Sequence, residues 1–159
     1  MSSKIAPCLW FATEAEEAAN FYVSLLPDSR IDHVQRNPVD SPGGKKGSVL
    51  VVDFTLAGHR YMALNGGQRF EYTHAISFHI DCNDQAEVDR LWDGLLAGGK
   101  PEQCGWVKDR YGVSWQIIPR ALPKLLADPD PAVSARVMQA MLQMVKIDVA
   151  TLERAARGA

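Results

Sequence analysis

Apolar residues recur at helical spacing in two segments that lie 70 positions apart along the chain. The first segment, residues 17–26, carries them at positions 18, 21, 22, 25 and 26. The second segment, residues 87–96, carries them at positions 88, 91, 92, 95 and 96. Each segment opens on Glu and closes on Leu-Leu. The pattern predicts two amphipathic helices, each packing one face, and therefore an internal repeat.

Polar and conformationally special residues mark the ends of both predicted helices. Thr13 and Glu16 stand at the spacing of a capping box, which predicts that the first helix begins there, and Pro27 ends it. The second helix is predicted to begin at Asn83 or Asp84 and to end before the Gly98-Gly99 pair.

Strand-like segments surround each predicted helix in the same order. One precedes each helix, at residues 5–11 and 75–82, and further ones follow at residues 30–36, 48–56, 59–64, 103–108 and 114–118. Residues 38–47 hold Pro, Gly and Lys and are typical of a surface loop. The order is β-α-β-β-β twice, with a shorter second copy.

The last forty residues have no partner in the repeat and are predicted to be helical. Asp130 and Pro131 have the chemistry of an N-cap and a first helical residue, and a final helix is predicted from Asp148 to Ala156. We therefore expect an α+β fold with modules at residues 4–67 and 73–119, one domain over 1–120, and a helical extension over 121–159. Met138, Met141 and Met144 in this extension suit core or interface packing, or a flexible ligand-binding surface.

Composition narrows the classes of partner. The 159 residues carry 17 basic and 19 acidic side chains, so the positive field typical of a nucleic-acid-binding protein is missing. The chain has no apolar run long enough to cross a bilayer and no signal-peptide pattern, which favours a cytoplasmic protein without membrane contact. Cys8, Cys82 and Cys104 form no CxxC pair and lie in no nucleophile motif, so we expect free thiols that are buried as small hydrophobic residues.

Four phrases of the sequence resemble the PhnB-like branch of the vicinal oxygen chelate superfamily, the group of glyoxalase I and its relatives. They are Ile5-Ala6-Pro7-Cys8-Leu9-Trp10-Phe11, Glu16-Glu17-Ala18-Ala19-Asn20-Phe21-Tyr22, Met62-Ala63-Leu64-Asn65-Gly66-Gly67 and Asp109-Arg110-Tyr111-Gly112-Val113-Ser114-Trp115-Gln116-Ile117-Ile118-Pro119. The last phrase is the most specific, and the resemblance covers residues 4–120. This branch is often labelled 3-demethylubiquinone-9 3-methyltransferase-like.

The resemblance implies that each module curls its strands into a half-barrel and that the paired half-barrels form a small-molecule pocket. It also implies a homodimer, because relatives close their open sheet edges by pairing modules. The methyltransferase label is one alternative function. Its usual cofactor, S-adenosylmethionine, needs a glycine-rich turn after a parallel strand, and the chain has no such turn. We expect no cofactor.

Metal-binding relatives place His and Glu ligands on the first and last strands of each module. Here those positions fall on Pro7, Ala75 and Gln116, with Asp53 as the nearest carboxylate of the first module, and this set is poor for zinc, nickel or iron. We therefore expect no metal. If the register is off by one residue, His74 becomes a ligand, and a metal-dependent lyase or isomerase is the alternative.

The candidate ligand contacts are Asp53, His79 and Gln116, with Trp106 as an aromatic wall. Asp53 lies inside an apolar run, so it is a hydrogen-bond hub, a functional carboxylate, or a residue on a solvated face with Val52 and Phe54 as the buried pair. His79 and Trp106 also suit ordinary core packing. Asp109 and Arg110 are expected to shape the turn before the last strand, and His33 and His59 to be solvated.

Overall fold

A computed structural model describes residues 3–159, which divide into two units between Glu71 and Tyr72. The fold is mixed α+β, with two four-stranded sheets and five helices in the described residues. Two βαβββ modules follow one another, so the predicted fold class is confirmed. None of the helices within residues 3–159 is long and apolar enough to span a membrane.

The first unit contains one sheet and one helix. Its elements are β1 (Cys8–Phe11), α1 (Ala15–Leu25), β2 (Arg30–Arg36), β3 (Val49–Leu56) and β4 (His59–Asn65). The strand order is β1-β4-β3-β2, with β1 parallel to β4 and the other neighbours antiparallel. Val52 and Phe54 are fully buried, as are Ala18 and Ala19 of α1, which packs against β3.

The second unit repeats this arrangement. Its elements are β5 (Phe78–Cys82), α2 (Gln85–Leu96), β6 (Lys100–Pro101), β7 (Trp106–Lys108), β8 (Ser114–Pro119), α3 (Ala121–Leu126), α4 (Pro131–Met141) and α5 (Val149–Arg157). The strand order β5-β8-β7-β6, with β5 parallel to β8, is the order of the first sheet. Helices α1 and α2 begin 70 residues apart, so the predicted repeat is confirmed.

The first helix does not begin at the predicted capping box. Glu14 is the N-cap and makes no side-chain cap bond. Instead, the Asn65 side chain at the end of β4 accepts a hydrogen bond from the Ala15 amide at 2.8 Å and donates one to the Val49 carbonyl at 3.1 Å. A residue fifty positions away thus satisfies one of the helix's free amides. The second helix has its predicted cap, because Asp84 accepts from the Glu87 amide at 2.9 Å.

A buried carboxylate organises the turn between β7 and β8. Asp109 accepts hydrogen bonds from the Tyr111 amide at 2.8 Å and the Val113 amide at 3.0 Å. Its second oxygen accepts from the Trp115 indole at 2.9 Å. Asp109 therefore shapes this turn as predicted, and Trp115 is held as a buried residue of β8.

The C-terminal helices pack onto the second module through an apolar cluster. Its buried members are Ile118, Leu122, Val137, Met144, Ile147 and Leu152. Gln85 of α2 donates to the Ile147 carbonyl at 3.0 Å and accepts from the Val149 amide at 2.8 Å. Asp130 and Asp148 cap α4 and α5, as the sequence predicts. The C-terminal helices therefore pack against the second module. The predicted boundary at residue 121, which makes them a separate region, stays a prediction.

Candidate functional site

A cleft of about 800 Å³ opens on the first sheet. Its floor is made of two rows of residues, and the members of each row pair with one another across neighbouring strands. Arg30 of β2, Thr55 of β3 and Arg60 of β4 form one row, and His33 of β2 and Asp53 of β3 form the other. Both histidines of the first unit, His33 and His59, line the cleft and are exposed, as expected.

Asp53 points into this cleft and not into the core. Its neighbours along β3, Val52 and Phe54, are fully buried, whereas 26% of the Asp53 side chain is exposed. One of its oxygens lies 3.2 Å from the Arg60 guanidinium, with which it forms an ion pair. Strand alternation therefore places Asp53 opposite the buried pair, on a partly solvated face, and its role in ligand binding stays a prediction.

Charged and polar groups surround Asp53 on the cleft floor. Arg30 pairs with Asp32 at 2.8 Å, and the Thr55 hydroxyl donates to the other Asp32 oxygen at 2.7 Å. Burial raises the pKa of the Tyr61 hydroxyl above its usual range. Burial, and to a lesser degree the Asp53 charge, raises the pKa of the Cys8 thiol. The cleft thus holds a neutral Tyr61 hydroxyl beside fixed ion pairs, and the neutral Cys8 thiol lies outside its lining.

The other three predicted site residues lie side by side in the second sheet. His79 of β5 lies opposite Gln116 of β8, which in turn lies opposite Trp106 of β7. The Gln116 amide donates to the Ser77 hydroxyl at 2.9 Å. His79 is exposed, so its reading as a core histidine is wrong. This sheet brings His79, Gln116 and Trp106 together, whereas Asp53 belongs to the first sheet.

A second cleft of about 450 Å³ lies at the Trp106 end of this row. His74 and Glu102 line it, and the His74 Nε2 atom lies 2.9 Å from both Glu102 carboxylate oxygens. The His74 and Trp106 rings are 6.0 Å apart. The sequence did not predict Glu102 as a partner of His74, because the two residues are 28 positions apart, one in a turn and the other in a loop.

Apart from Asp53, the polar cleft residues of the first sheet were also missed as site residues, although a signal was present. Polar residues alternate along each strand, at Arg30 and Asp32 in β2 and at Asp53 and Thr55 in β3. Period-two alternation places such residues on one face. Parity therefore predicts that these residues share a face, whereas the row of Arg30, Thr55 and Arg60 also depends on the strand register.

The residues at the positions where the sequence comparison expects metal ligands do not fit a divalent metal. Pro7 and Ala75 lie before β1 and β5 and have no donor atom in their side chains. His74 is engaged by Glu102. Within residues 3–159, no group of three or more His, Cys, Asp or Glu is arranged to hold a metal ion.

The paired glycines serve turns and close packing and do not form a nucleotide-binding loop. A Cβ atom on Gly66 would lie 1.8 Å from the Trp10 ring, and one on Gly67, where φ is +82°, would lie 1.9 Å from the Pro42 carbonyl oxygen. Only glycine fits at such contacts. These turns therefore do not fit the usual S-adenosylmethionine site, which follows a first parallel strand.

The three cysteines are free, as predicted. Cys82 is fully buried at the end of β5, and burial raises the pKa of its thiol to about 12. Cys8 is exposed, so its expected burial is wrong, and Cys104 is half-buried in the second cleft.

A family model and one solved structure identify the same family. The family model described as 3-demethylubiquinone-9 3-methyltransferase matches residues 3–118. A solved structure of a putative 3-demethylubiquinone-9 3-methyltransferase, PhnB protein, from Bacillus cereus is 34% identical, with a TM-score of 0.68 over 74% of this chain and 99% of that one. A Pseudomonas aeruginosa protein is 21% identical, with a TM-score of 0.61 over 74% of this chain and 98% of that one, and shares the fold. No curated protein matches the chain.

Proposed function

The chain belongs to the 3-demethylubiquinone-9 3-methyltransferase family, and on that premise we propose that it is a PhnB-like protein that binds a small molecule without a metal. The proposal rests on the cleft of about 800 Å³ around Asp53. Its volume lies in the range of small-molecule pockets, roughly 300–1,000 Å³. Its floor combines fixed ion pairs with the neutral Tyr61 hydroxyl, which suits a polar organic ligand.

The proposed contacts are Asp53 in the first unit and His79, Gln116 and Trp106 in the second. Asp53 and Arg60 present an acceptor and a donor in fixed relative positions, because each orients the other. In the second sheet, Gln116 is oriented by Ser77 beside the Trp106 ring. Preorganised polar groups next to an aromatic surface favour binding of a specific ligand.

The Asp53 site is tested by native mass spectrometry for co-purifying molecules and by a thermal-shift screen of small polar organic compounds. We expect Asp53→Asn to keep the fold and to lose the shift that the wild type shows. Asp40→Asn is a matched control, because it removes a surface Asp–Lys ion pair at the same 3.2 Å distance, outside the cleft. Equal shifts in Asp53→Asn and the wild type would place the site elsewhere.

We expect zinc, nickel and manganese to leave the melting temperature unchanged. A metal held at its site at a concentration one hundred times Kd would add about 2.7 kcal/mol of stability. A clear rise with one metal that disappears in His74→Ala would favour a metal-dependent lyase or isomerase instead.

The methyltransferase named in the family description is tested in the same way. The described residues, 3–159, do not form the usual cofactor turn, so we expect S-adenosylmethionine to give no saturable shift. Saturable binding, seen by calorimetry, would restore the methyltransferase as the leading function.

We also propose a homodimer. The seven-residue strand β2 is an edge of the first sheet, and most of its residues are exposed. Unpaired edge groups favour pairing with another chain. Light scattering at micromolar concentration should give twice the chain mass of 17.5 kDa, and a uniform monomer would contradict the proposal.

A further inference from the structure

We propose that the cleft around Trp106 is a proton-accepting site for a planar phenol, with His74 as the base. Its lining residues are His74, Glu102, Gln103, Cys104 and Trp106. The proposal extends the function above, because it assigns a base and a ligand class to the second unit. It rests on that function only through Trp106 and involves neither Asp53 nor the first cleft.

Glu102 fixes the tautomer of the neutral His74 ring. Both of its carboxylate oxygens lie 2.9 Å from Nε2. An ionised carboxylate only accepts hydrogen bonds, so Nε2 carries the hydrogen, and in the neutral ring Nδ1 is then the acceptor. A ligand hydroxyl that donates to Nδ1 meets an oriented base. Glu102 also stabilises the imidazolium that forms when the base takes a proton.

Trp106 supplies the surface for the ring of the ligand. Its side chain is half-buried on β7, and its ring lies 6.0 Å from the His74 ring at an interplanar angle of 42°. An indole face stacks well on another aromatic ring. A ligand ring that packs on Trp106 therefore lies next to the base.

Phenols combine the two properties that this cleft selects. Their rings are planar, and their hydroxyls are far more acidic than those of aliphatic alcohols. A phenol with an electron-withdrawing group on its ring gives up its proton to imidazole most readily. In the proposed step the ligand O–H bond breaks and an N–H bond forms at His74 Nδ1. The electron pair stays on the phenolate oxygen, and the positive charge on His74 is paired with Glu102.

The probe for this site is 4-nitrophenol, whose phenolate absorbs visible light. At a pH just below the pKa of the probe, we expect the wild-type protein to raise phenolate absorbance saturably and to quench tryptophan fluorescence. His74→Gln and Glu102→Gln should each weaken the phenolate signal by about tenfold or more, as loss of an oriented base or its partner does. Trp106→Leu should abolish quenching, and Trp106→Phe, which keeps a ring, should retain part of the binding.

The matched control is Glu153→Gln, an exposed change on α5 that should behave as wild type. The methyl ether 4-nitroanisole, which has no hydroxyl proton, should bind more weakly than the phenol. Circular dichroism establishes that each variant is folded. The proposal is overturned if the wild type gives no saturable signal at millimolar probe, or if folded His74→Gln and Glu102→Gln give the wild-type signal. Because the probe reports on Trp106, failure of the Asp53 site would leave this result unaffected.

Discussion

Replacing Asp109 by alanine should lower the free energy of unfolding by about 3–5 kcal/mol, the largest single effect that we expect in this chain. The substitution removes the carboxylate that accepts from the buried Val113 amide, the buried Trp115 indole and the partly buried Tyr111 amide. Asp109 itself is 3% exposed, so water replaces the carboxylate poorly. Urea denaturation measures the loss, which corresponds to a fall of roughly 10 °C in melting temperature.

Two further variants separate the hydrogen bonds of Asp109 from general effects of losing a charge. Asp109→Asn keeps the shape but turns an NH2 group toward donors, so it should lose an intermediate amount of stability. Asp93→Ala removes an exposed carboxylate on α2 and should change stability by less than about 0.5 kcal/mol. An Asp109→Ala loss as small as that of Asp93→Ala would show that the turn does not depend on these bonds.

The role of Asp109 explains why the most specific phrase of the sequence predicts the fold better than the function. In residues 109–119, Asp109, Gly112 and Trp115 build a turn and hold β8 in place. Gly112 has φ of +88°, which a residue with a side chain rarely adopts. Of the residues in this phrase, only Gln116 belongs to the row of His79, Gln116 and Trp106 that we propose as ligand contacts. A signature of this kind identifies a relative while leaving its ligand open.

Local pattern predicted the elements well, because helix spacing, N-caps and strand alternation are encoded within a few residues. The bounds of β2 and the N-caps Asp84, Asp130 and Asp148 follow directly from such signals. Long-range partners did not follow. The contact of Asn65 with the start of α1 and the contact of Glu102 with His74 depend on how the backbone folds. The sequence around one residue of such a pair therefore does not predict the other.

In the candidate site, too, local features could be predicted and long-range contacts could not. One interpretation of the strand alternation, with Val52 and Phe54 buried and Asp53 on the opposite face, agrees with the structure. It did not predict that Arg60 would meet Asp53, because that contact depends on the β3–β4 register. The row formed by His79, Gln116 and Trp106 likewise needs the register of three strands. Parity within a strand is local, whereas register is a property of the sheet.

Replacing Ile147 by alanine should destabilise the protein by about 2–5 kcal/mol and loosen the loop between β6 and β7, which begins at Glu102 and leads into Trp106. Ile147 is fully buried, and its side chain lies over Gly105, where a Cβ atom would come within 2.9 Å of it. The neighbouring Met144 and Val145 carbonyls accept hydrogen bonds from the Cys104 and Gly105 amides at 2.8 and 2.7 Å. The C-terminal extension therefore holds the wall of the second cleft by backbone contacts.

Hydrogen exchange tests this link between the extension and the cleft. In Ile147→Ala, amides 104 and 105 should exchange faster than in the wild type, and 4-nitrophenol should bind more weakly, since the loop must be ordered before it can bind. Leu142→Ala is the matched control, because Leu142 is an apolar residue of the same extension that is 53% exposed. It should leave stability, exchange and probe binding near wild-type values. If Ile147→Ala loses stability while amides 104 and 105 keep their protection, the extension stabilises the module without holding the cleft.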